Sequence, residues 1–199
     1  MSRKPTDTKE RILDTATNLF SSHGFDGTSI DDILGAVGIT KGAFYHYFNG
    51  KAHLCEAVLD NAVAHYHQLA DSVGLESGDS DSLYHWLEAL IEKQISGQWL
   101  HCRLITRLSI ESAQLNSVVQ QKLRNFWLWC QNLYETLLRQ ALKDKPFKGT
   151  IDPPATARLF IAAHFGALWL DRCAPAKEDI ITVCETLLRQ VLREPRREG

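Results

Sequence analysis

The sequence predicts an all-α protein of about nine helices, in which a three-helix helix-turn-helix domain precedes a larger helical domain. Two short helical patterns separated by a glycine lie between Thr28 and Lys51. Apolar residues then recur at helical spacing along the rest of the chain, and no alternating strand pattern competes with them. The chain has 199 residues, 44% of them apolar, which is enough for a packed core.

The first helix follows a polar arm, MSRKPTD, and we expect Asp7 or Thr8 to cap it. Gly24 follows its last turn as a stop signal, and Phe25 can fold back onto that turn. The three N-terminal helices are predicted to enclose one core. That core comprises Leu19, Phe20, Phe25, Ile33, Leu34, Val37, Ile39, Phe44 and Phe48.

The next two helices form the predicted helix-turn-helix motif, residues 29–48. We expect Thr28 to cap the first of them, with Asp31 three residues later. Its buried face is predicted to consist of Ile30, Ile33, Leu34 and Val37. Gly38 favours the left-handed turn that ends this helix, and Thr40 is the expected cap of the next.

The second helix of the motif is predicted to have one buried and one free face. Ala43, Phe44 and Phe48 point inward by their spacing. The residues left on the other faces are Lys41, Gly42, Tyr45 and His46. Taken alone, Tyr45 and Tyr47 fit a core as well as a surface. Because Phe44 and Phe48 already fill the inward positions, at least one of the tyrosines should face outward.

The remainder of the chain divides into helices and two loops. A long helix runs from about Leu54 to Leu69, and residues 71–82, rich in Gly, Ser and Asp, form a loop. Further helical stripes follow, a second loop spans residues 143–154, and two last helices cover 155–173 and 176–192. We therefore predict a helix-turn-helix domain at 6–66 and a second helical domain at 67–199.

The last two helices carry small and apolar residues suited to packing between two subunits. The candidates for this dimer interface are Ala163, Gly166, Ala167, Cys184, Leu187, Leu188 and Val191.

Composition favours a soluble protein of the cytoplasm. No apolar run approaches the roughly 20 residues that cross a bilayer, and the N-terminus carries no secretory segment. The five cysteines are odd in number and lack CxxC spacing, so we expect reduced thiols without disulfides or zinc. The net charge of −2 gives no sign of nucleic-acid binding. Any phosphate contact must therefore depend on local placement.

Enzyme and metal signatures are missing from the sequence. His65 and His67 lie about 200° apart around a helix, so they cannot hold one metal from the same face. No phosphate loop, nucleophile elbow or HExxH motif occurs. We expect no enzyme, no cofactor and no metal. The remote alternative is a helical enzyme with a cysteine nucleophile.

The residues from Thr8 to about Val58 resemble the TetR family of transcriptional regulators. The resemblance lies in Leu19-Phe20, Gly24-Phe25, Thr28 and the run GITKGAFYHYFNGKAHL. It implies that a helix in this run enters the major groove of DNA. The residues expected to face DNA are Ser29, Thr40, Lys41, Gly42, Tyr45, His46 and Tyr47, with Thr28 and Lys51 on phosphates.

The family resemblance also implies partners. We expect a homodimer that binds a near-palindromic double-stranded DNA operator and acts as a repressor released by a small-molecule effector. A DNA-binding module that senses nothing is the alternative. Large aromatics and polar neighbours supply the candidate effector pocket, namely Trp86, Trp99, Cys102, Arg103, Phe126, Trp127, Tyr134, His164 and Trp169. Ordinary core packing explains the same aromatics.

The segment HCRLITRLSIES resembles a TetR branch that includes electrophile-responsive repressors. His101 stands where that branch usually has glycine. If His101, Arg103 or Arg172 lowers the pKa of Cys102, this cysteine is a reactive thiolate that switches the regulator after modification by an electrophile or oxidant. The opposing interpretation is a buried, inert cysteine.

Overall fold

The computed structural model describes residues 5–73, 81–96, 100–143, 152–173, 182–183 and 186–187. Of the predicted site residues, Trp99, Cys184, Leu188 and Val191 lie outside this part of the chain, as do the side chains of Trp169 and Arg172.

The described residues are all-α, as predicted, and contain no strand. The helices are α1 (Pro5–His23), α2 (Ile30–Val37), α3 (Lys41–Tyr45), α4 (Lys51–Ser72), α5 (Ser82–Ile95), α6 (His101–Ile110), α7 (Ser117–Leu142) and α8 (Pro153–Cys173). A 3₁₀ turn at Ser112–Gln114 precedes α7. No helix in the described ranges is long and apolar enough to cross a membrane.

Packing divides the chain into two compact units. The first comprises Met1–Tyr66 and Leu100–Phe126, and the second comprises His67–Trp99 and Trp127–Gly199. The first unit thus contains α6 in addition to the predicted helix-turn-helix domain. The functional division at residues 66 and 67 remains a prediction.

The core of the first unit contains the aromatic and β-branched residues that the helical period places inward. Phe20, Ile33, Val37, Phe44 and Phe48 are buried, while Leu19, Phe25, Leu34 and Ile39 are half-buried. The Phe44 and Phe48 rings pack with their centroids 5.8 Å apart. Each of the five buried side chains contributes about 1.5–3 kcal/mol to stability. The packed core therefore fixes the positions of α1, α2 and α3.

The core of the second unit draws on α5, α7 and α8. Its buried apolar residues include Leu83, Trp86, Leu87, Leu90, Leu137, Leu138, Ala157 and Phe160. Tyr134 of α7 stacks on Phe160 of α8, with centroids 6.0 Å apart. His164 is a buried polar group of this unit, 1% exposed. Its burial lowers the pKa of the imidazole to about 4, so the ring is neutral near pH 7.

Candidate nucleic-acid interface

The helix α2 begins one residue later than predicted. Ser29, not Thr28, is the cap: its Oγ accepts the Asp32 N–H at 3.1 Å, and Asp32 Oδ2 accepts the Ser29 N–H at 2.8 Å. These hydrogen bonds lower the pKa of Asp32 below its ordinary 3.8. Thr28 is 1% exposed and its hydroxyl donates to the Gly24 carbonyl at 2.8 Å, which removes it from the capping position.

The turn between α2 and α3 has the predicted geometry. Gly38 has φ 72° and ψ 45°, and its N–H donates to the Leu34 carbonyl at 2.9 Å. Ile39 N–H donates to the same carbonyl at 3.2 Å. Arg11 of α1 adds a contact that the sequence did not indicate, since its Nη2 donates to the Val37 carbonyl at 2.5 Å. A cation at this helix end also complements the negative pole of α2.

The helix α3 presents the predicted free face. Thr40 caps it by accepting the Ala43 N–H at 3.3 Å, and Phe44 anchors it in the core. The exposed residues here are Ser29, Thr40, Lys41, Gly42, Tyr45 and His46, while Tyr47 is half-buried. Tyr45 is 44% exposed, and its ring packs edge-on against Phe44 with centroids 5.4 Å apart. Outward placement of a tyrosine is therefore confirmed, and the DNA contacts themselves stay predictions.

Lys51 lies beside the turn between α1 and α2. Its Nζ donates to the Phe25 carbonyl at 2.8 Å and to the Thr28 carbonyl at 3.0 Å, and it lies 4.2 Å from the centre of the Phe25 ring. The ammonium group has three N–H donors. A phosphate contact through the third donor remains a prediction, whereas the buried side chain of Thr28 exposes no group for one.

The cysteine candidates are buried. Cys102 is 0% exposed, and its Sγ contacts the Tyr66 hydroxyl. Burial raises the pKa of Cys55 to about 12, which makes that thiol inert. His101 stacks on His65 at 4.2 Å, and burial, followed by the effect of His65, lowers its pKa to about 4. His101 is therefore neutral near pH 7 and supplies no cation to Cys102.

The predicted pocket residues fall in two separate units. Cys102, Arg103 and Phe126 belong to the first unit, where Phe126 packs on Tyr66 with centroids 5.0 Å apart and Arg103 is exposed. Trp86, Trp127, Tyr134 and His164 belong to the second. A groove of about 740 Å³ in the second unit involves other residues. Its lining consists of Val73, His85, Glu88, Ala89, Ile91, Glu92 and Ser96.

The helix α8 carries an exposed apolar stripe that includes part of the predicted dimer interface. Ala167 is 3% exposed and faces the interior of its unit. Ala163 and Leu187 are half-buried, and Gly166 is exposed. Other exposed residues lie on the same face of α8 as Gly166, at intervals of three or four positions. They are Ala155, Leu159, Ala162 and Leu170. In the ranges described, no three His, Cys, Asp or Glu side chains form a group that could hold a metal ion.

Comparison with known proteins supports the family resemblance. Residues 12–58 match the family model described as bacterial regulatory proteins, tetR family. The chain is 28% identical over 116 residues to the biofilm operon icaADBC HTH-type negative transcriptional regulator IcaR of Staphylococcus epidermidis, covering 58% of this chain and 61% of IcaR. It is 36% identical over 75 residues to the HTH-type transcriptional repressor NemR of Escherichia coli K12, covering 38% of this chain and 37% of NemR. Less than two thirds of either relative is thus covered.

Similarity of fold extends over nearly the whole chain. A TetR-family regulator from Agrobacterium tumefaciens superposes with a TM-score of 0.84 at 18% identity, covering 94% of this chain and 98% of that one. The reduced form of Escherichia coli NemR superposes with a TM-score of 0.76 at 23% identity, covering 96% and 99%. These matches are to regulators of transcription, not to enzymes. This chain therefore carries a TetR-family helix-turn-helix domain at residues 12–58 within the fold of the TetR/AcrR transcriptional regulators.

Proposed function

We propose that this chain is a homodimeric, ligand-responsive repressor that reads a near-palindromic operator through α3. The observation that carries the proposal is that α3 packs one face into the core and exposes polar residues on the other. This helix lies within the residues that match the family model. Residues 6–66 would supply DNA binding, and residues 67–199 would supply regulation and dimerisation. The repressor role is proposed by analogy with IcaR, a negative transcriptional regulator, and NemR, a transcriptional repressor.

The distribution of charge favours α3 over the start of α2 as the DNA contact. Asp31 and Asp32 are exposed in the first turn of α2, and both side chains are carboxylates at neutral pH. Two carboxylates at that point repel phosphates. Lys41 is exposed in the first turn of α3, where its charge and the neighbouring Tyr45 hydroxyl can reach a backbone phosphate or a base edge.

The test is selection of duplexes from random-sequence DNA by the full-length protein, followed by affinity measurement over a range of salt concentrations. Lys41→Ala should weaken binding and reduce the salt slope by about 1, because one phosphate contact is lost. Lys143→Ala removes an exposed lysine after α7 and serves as the matched control. Failure to select any duplex, or equal binding by Lys41→Ala and the control, would count against the proposal.

We propose an uncharged effector, because the polar groups buried in the second unit carry no charge. Trp86 is 1% exposed, and its indole N–H has no acceptor among the residues that the structure describes, so it can donate to a ligand oxygen. His164, buried and neutral, adds a polar group without charge. A screen of neutral and anionic small molecules for release of the selected DNA would test this. Release by anionic compounds alone would contradict it.

Modification of Cys102 is the second candidate for the switch. The contact with the Tyr66 hydroxyl supports this candidate, because a phenol can donate to a thiolate, whereas the full burial of Cys102 opposes it. Alkylation of the reduced protein should then reach Cys102 before Cys55 and Cys130 and release the DNA, and Cys102→Ser should abolish that release. Unchanged DNA binding after modification of Cys102 would eliminate this candidate.

A further inference from the structure

The turn between α1 and α2, residues 24–28, is bound by a carboxylate from a distant part of the sequence. Glu111 directly follows α6, and its Oε2 accepts the Phe25 N–H at 2.7 Å. Arg107, one helical turn earlier, donates from Nε to Glu111 Oε1 at 2.6 Å. The same guanidinium reaches the His23 carbonyl, the last of α1, at 3.4 Å. Arg107 and Glu111 thus hold the last residue of α1 and the second residue after it.

Gly24 permits this approach. Its φ of +82° lies in the left-handed region, and its N–H closes α1 on the Phe20 carbonyl at 3.0 Å. A Cβ at this position would collide with Glu111 Oε1. The turn and the carboxylate are therefore matched in shape as well as in hydrogen bonding.

The same turn is held from its other side by α4. The Phe25 N–H is bound by Glu111, and the Phe25 carbonyl accepts from Lys51 at the start of α4. Ser29 follows the turn directly and caps α2, whose C-terminal turn leads into α3. A displacement of residues 24–28 is therefore passed to the start of α2 and through it to α3.

We propose that Glu111 is a positioning residue for DNA recognition: its carboxylate, oriented by Arg107, fixes the α1–α2 turn and through it the placement of α3. This inference rests on the proposed function. It assigns a role in DNA affinity to a side chain that is only 15% exposed and that directly follows α6, outside the helix-turn-helix motif.

The direction in which DNA affinity changes in Glu111→Ala distinguishes a positioning role of Glu111 from an effect of its charge. Replacing Glu111 by alanine removes a negative charge from the unit that carries α3, and electrostatics alone would strengthen binding to the polyanion. Loss of the hydrogen bond to Phe25 N–H should instead weaken it. A residue that only stabilised the fold would lower the unfolding temperature and leave the affinity of the folded molecules unchanged.

The test compares Glu111→Ala with Glu135→Ala on a duplex that the wild-type full-length protein has selected from random DNA. Glu135 forms the same kind of pair one turn away from an arginine, with 2.6 Å between Glu135 Oε1 and Arg139 Nη2, but it lies on α7 in the second unit. We expect Glu111→Ala to bind about tenfold more weakly with an unchanged salt slope, and Glu135→Ala to bind as the wild type does. The Phe25 amide should exchange hydrogen faster in Glu111→Ala only.

Glu111→Gln covers the case in which the alanine variant does not fold, because the amide keeps an acceptor oxygen at the same reach. It should lose affinity by about threefold. Equal or tighter binding by a folded Glu111 variant would overturn this inference while leaving the proposed function intact. Selection of no duplex by the wild type would overturn both.

Discussion

Ser29 caps α2 because the polar groups of the preceding residue, Thr28, form other hydrogen bonds. Thr28 donates its hydroxyl to Gly24 and accepts Lys51 Nζ on its carbonyl, so its backbone and side chain belong to the turn. Ser29 and Asp32 then complete a reciprocal capping box. Threonine and serine are both good caps, so the sequence alone did not distinguish them. The choice depends on a lysine 23 residues away along the chain.

His164 is expected to make stability depend on pH. Its pKa in the folded protein is about 4, against an ordinary 6.5, because burial disfavours the charged ring. Below pH 6.5 the His164 side chain therefore binds a proton in the unfolded chain, whereas in the folded chain it is protonated only near pH 4. Stability should fall as the pH drops through this window, by about 2 kcal/mol between pH 7 and pH 5.

Urea denaturation of the wild type and of His164→Gln at pH 7 and pH 5 measures this contribution. The variant should lose less stability between the two pH values, since glutamine has no proton to bind. His53→Gln, which removes an exposed histidine, is the control and should retain the wild-type difference. Equal pH dependence in all three proteins would contradict the assignment to His164.

At the scale of elements, local sequence predicts the helices, but it does not predict the side-chain hydrogen bonds that join one helix to another. The period of apolar residues and the Gly38 stop predicted α2, and Thr40 predicted the start of α3, because these signals lie within a few residues of each other. Arg11 on the Val37 carbonyl and Glu111 on the Phe25 N–H join residues 26 and 86 positions apart. No spacing rule indicates such pairs, since only the packed fold brings them together.

The α1–α2 turn should show non-additive energetics. Gly24→Ala places a side chain at a left-handed φ, which costs about 1–2 kcal/mol, and also forces Glu111 aside. In a Glu111→Ala background the collision is gone, and only the backbone cost should remain. Denaturation of the two single variants and the double variant therefore should give a coupling of at least about 0.5 kcal/mol.

Gly38→Ala is the matched control for this cycle. Gly38 also has a left-handed φ, 72°, but a Cβ there meets no atom within 4 Å. Its cost should be the same with and without Glu111. If Gly24→Ala and Gly38→Ala both combine additively with Glu111→Ala, the close approach of Glu111 to the turn has no energetic consequence.

At the scale of the whole molecule, recognition of a palindrome requires two copies of α3 held at a fixed spacing. Half-sites read in successive major grooves lie about 34 Å apart, so each subunit must be paired with its partner through a defined surface. The stripe on α8 suits such pairing, because Ala155, Ala162 and Gly166 allow close approach of helices while Leu159 and Leu170 supply apolar area. The sequence predicted that this helix contributes to the interface and included Ala167 among its residues, but Ala167 is buried within its own chain, so the interface that we propose uses the exposed residues of the stripe.

If the proposed homodimer forms through this stripe, Leu159→Arg should convert it into a monomer. Leu159 is 52% exposed in one chain, and a guanidinium in an apolar helix interface would be buried without a partner. Sedimentation should show the monomer mass at concentrations where the wild type is dimeric. Leu128→Arg introduces the same charge at a leucine of α7 that is 59% exposed, and it should remain a dimer.

The affinity of Leu159→Arg for a full operator should fall to that of a single half-site, because linkage between the two DNA-binding units provides the gain in affinity. A dimeric Leu159→Arg with wild-type operator binding would place the interface away from this stripe.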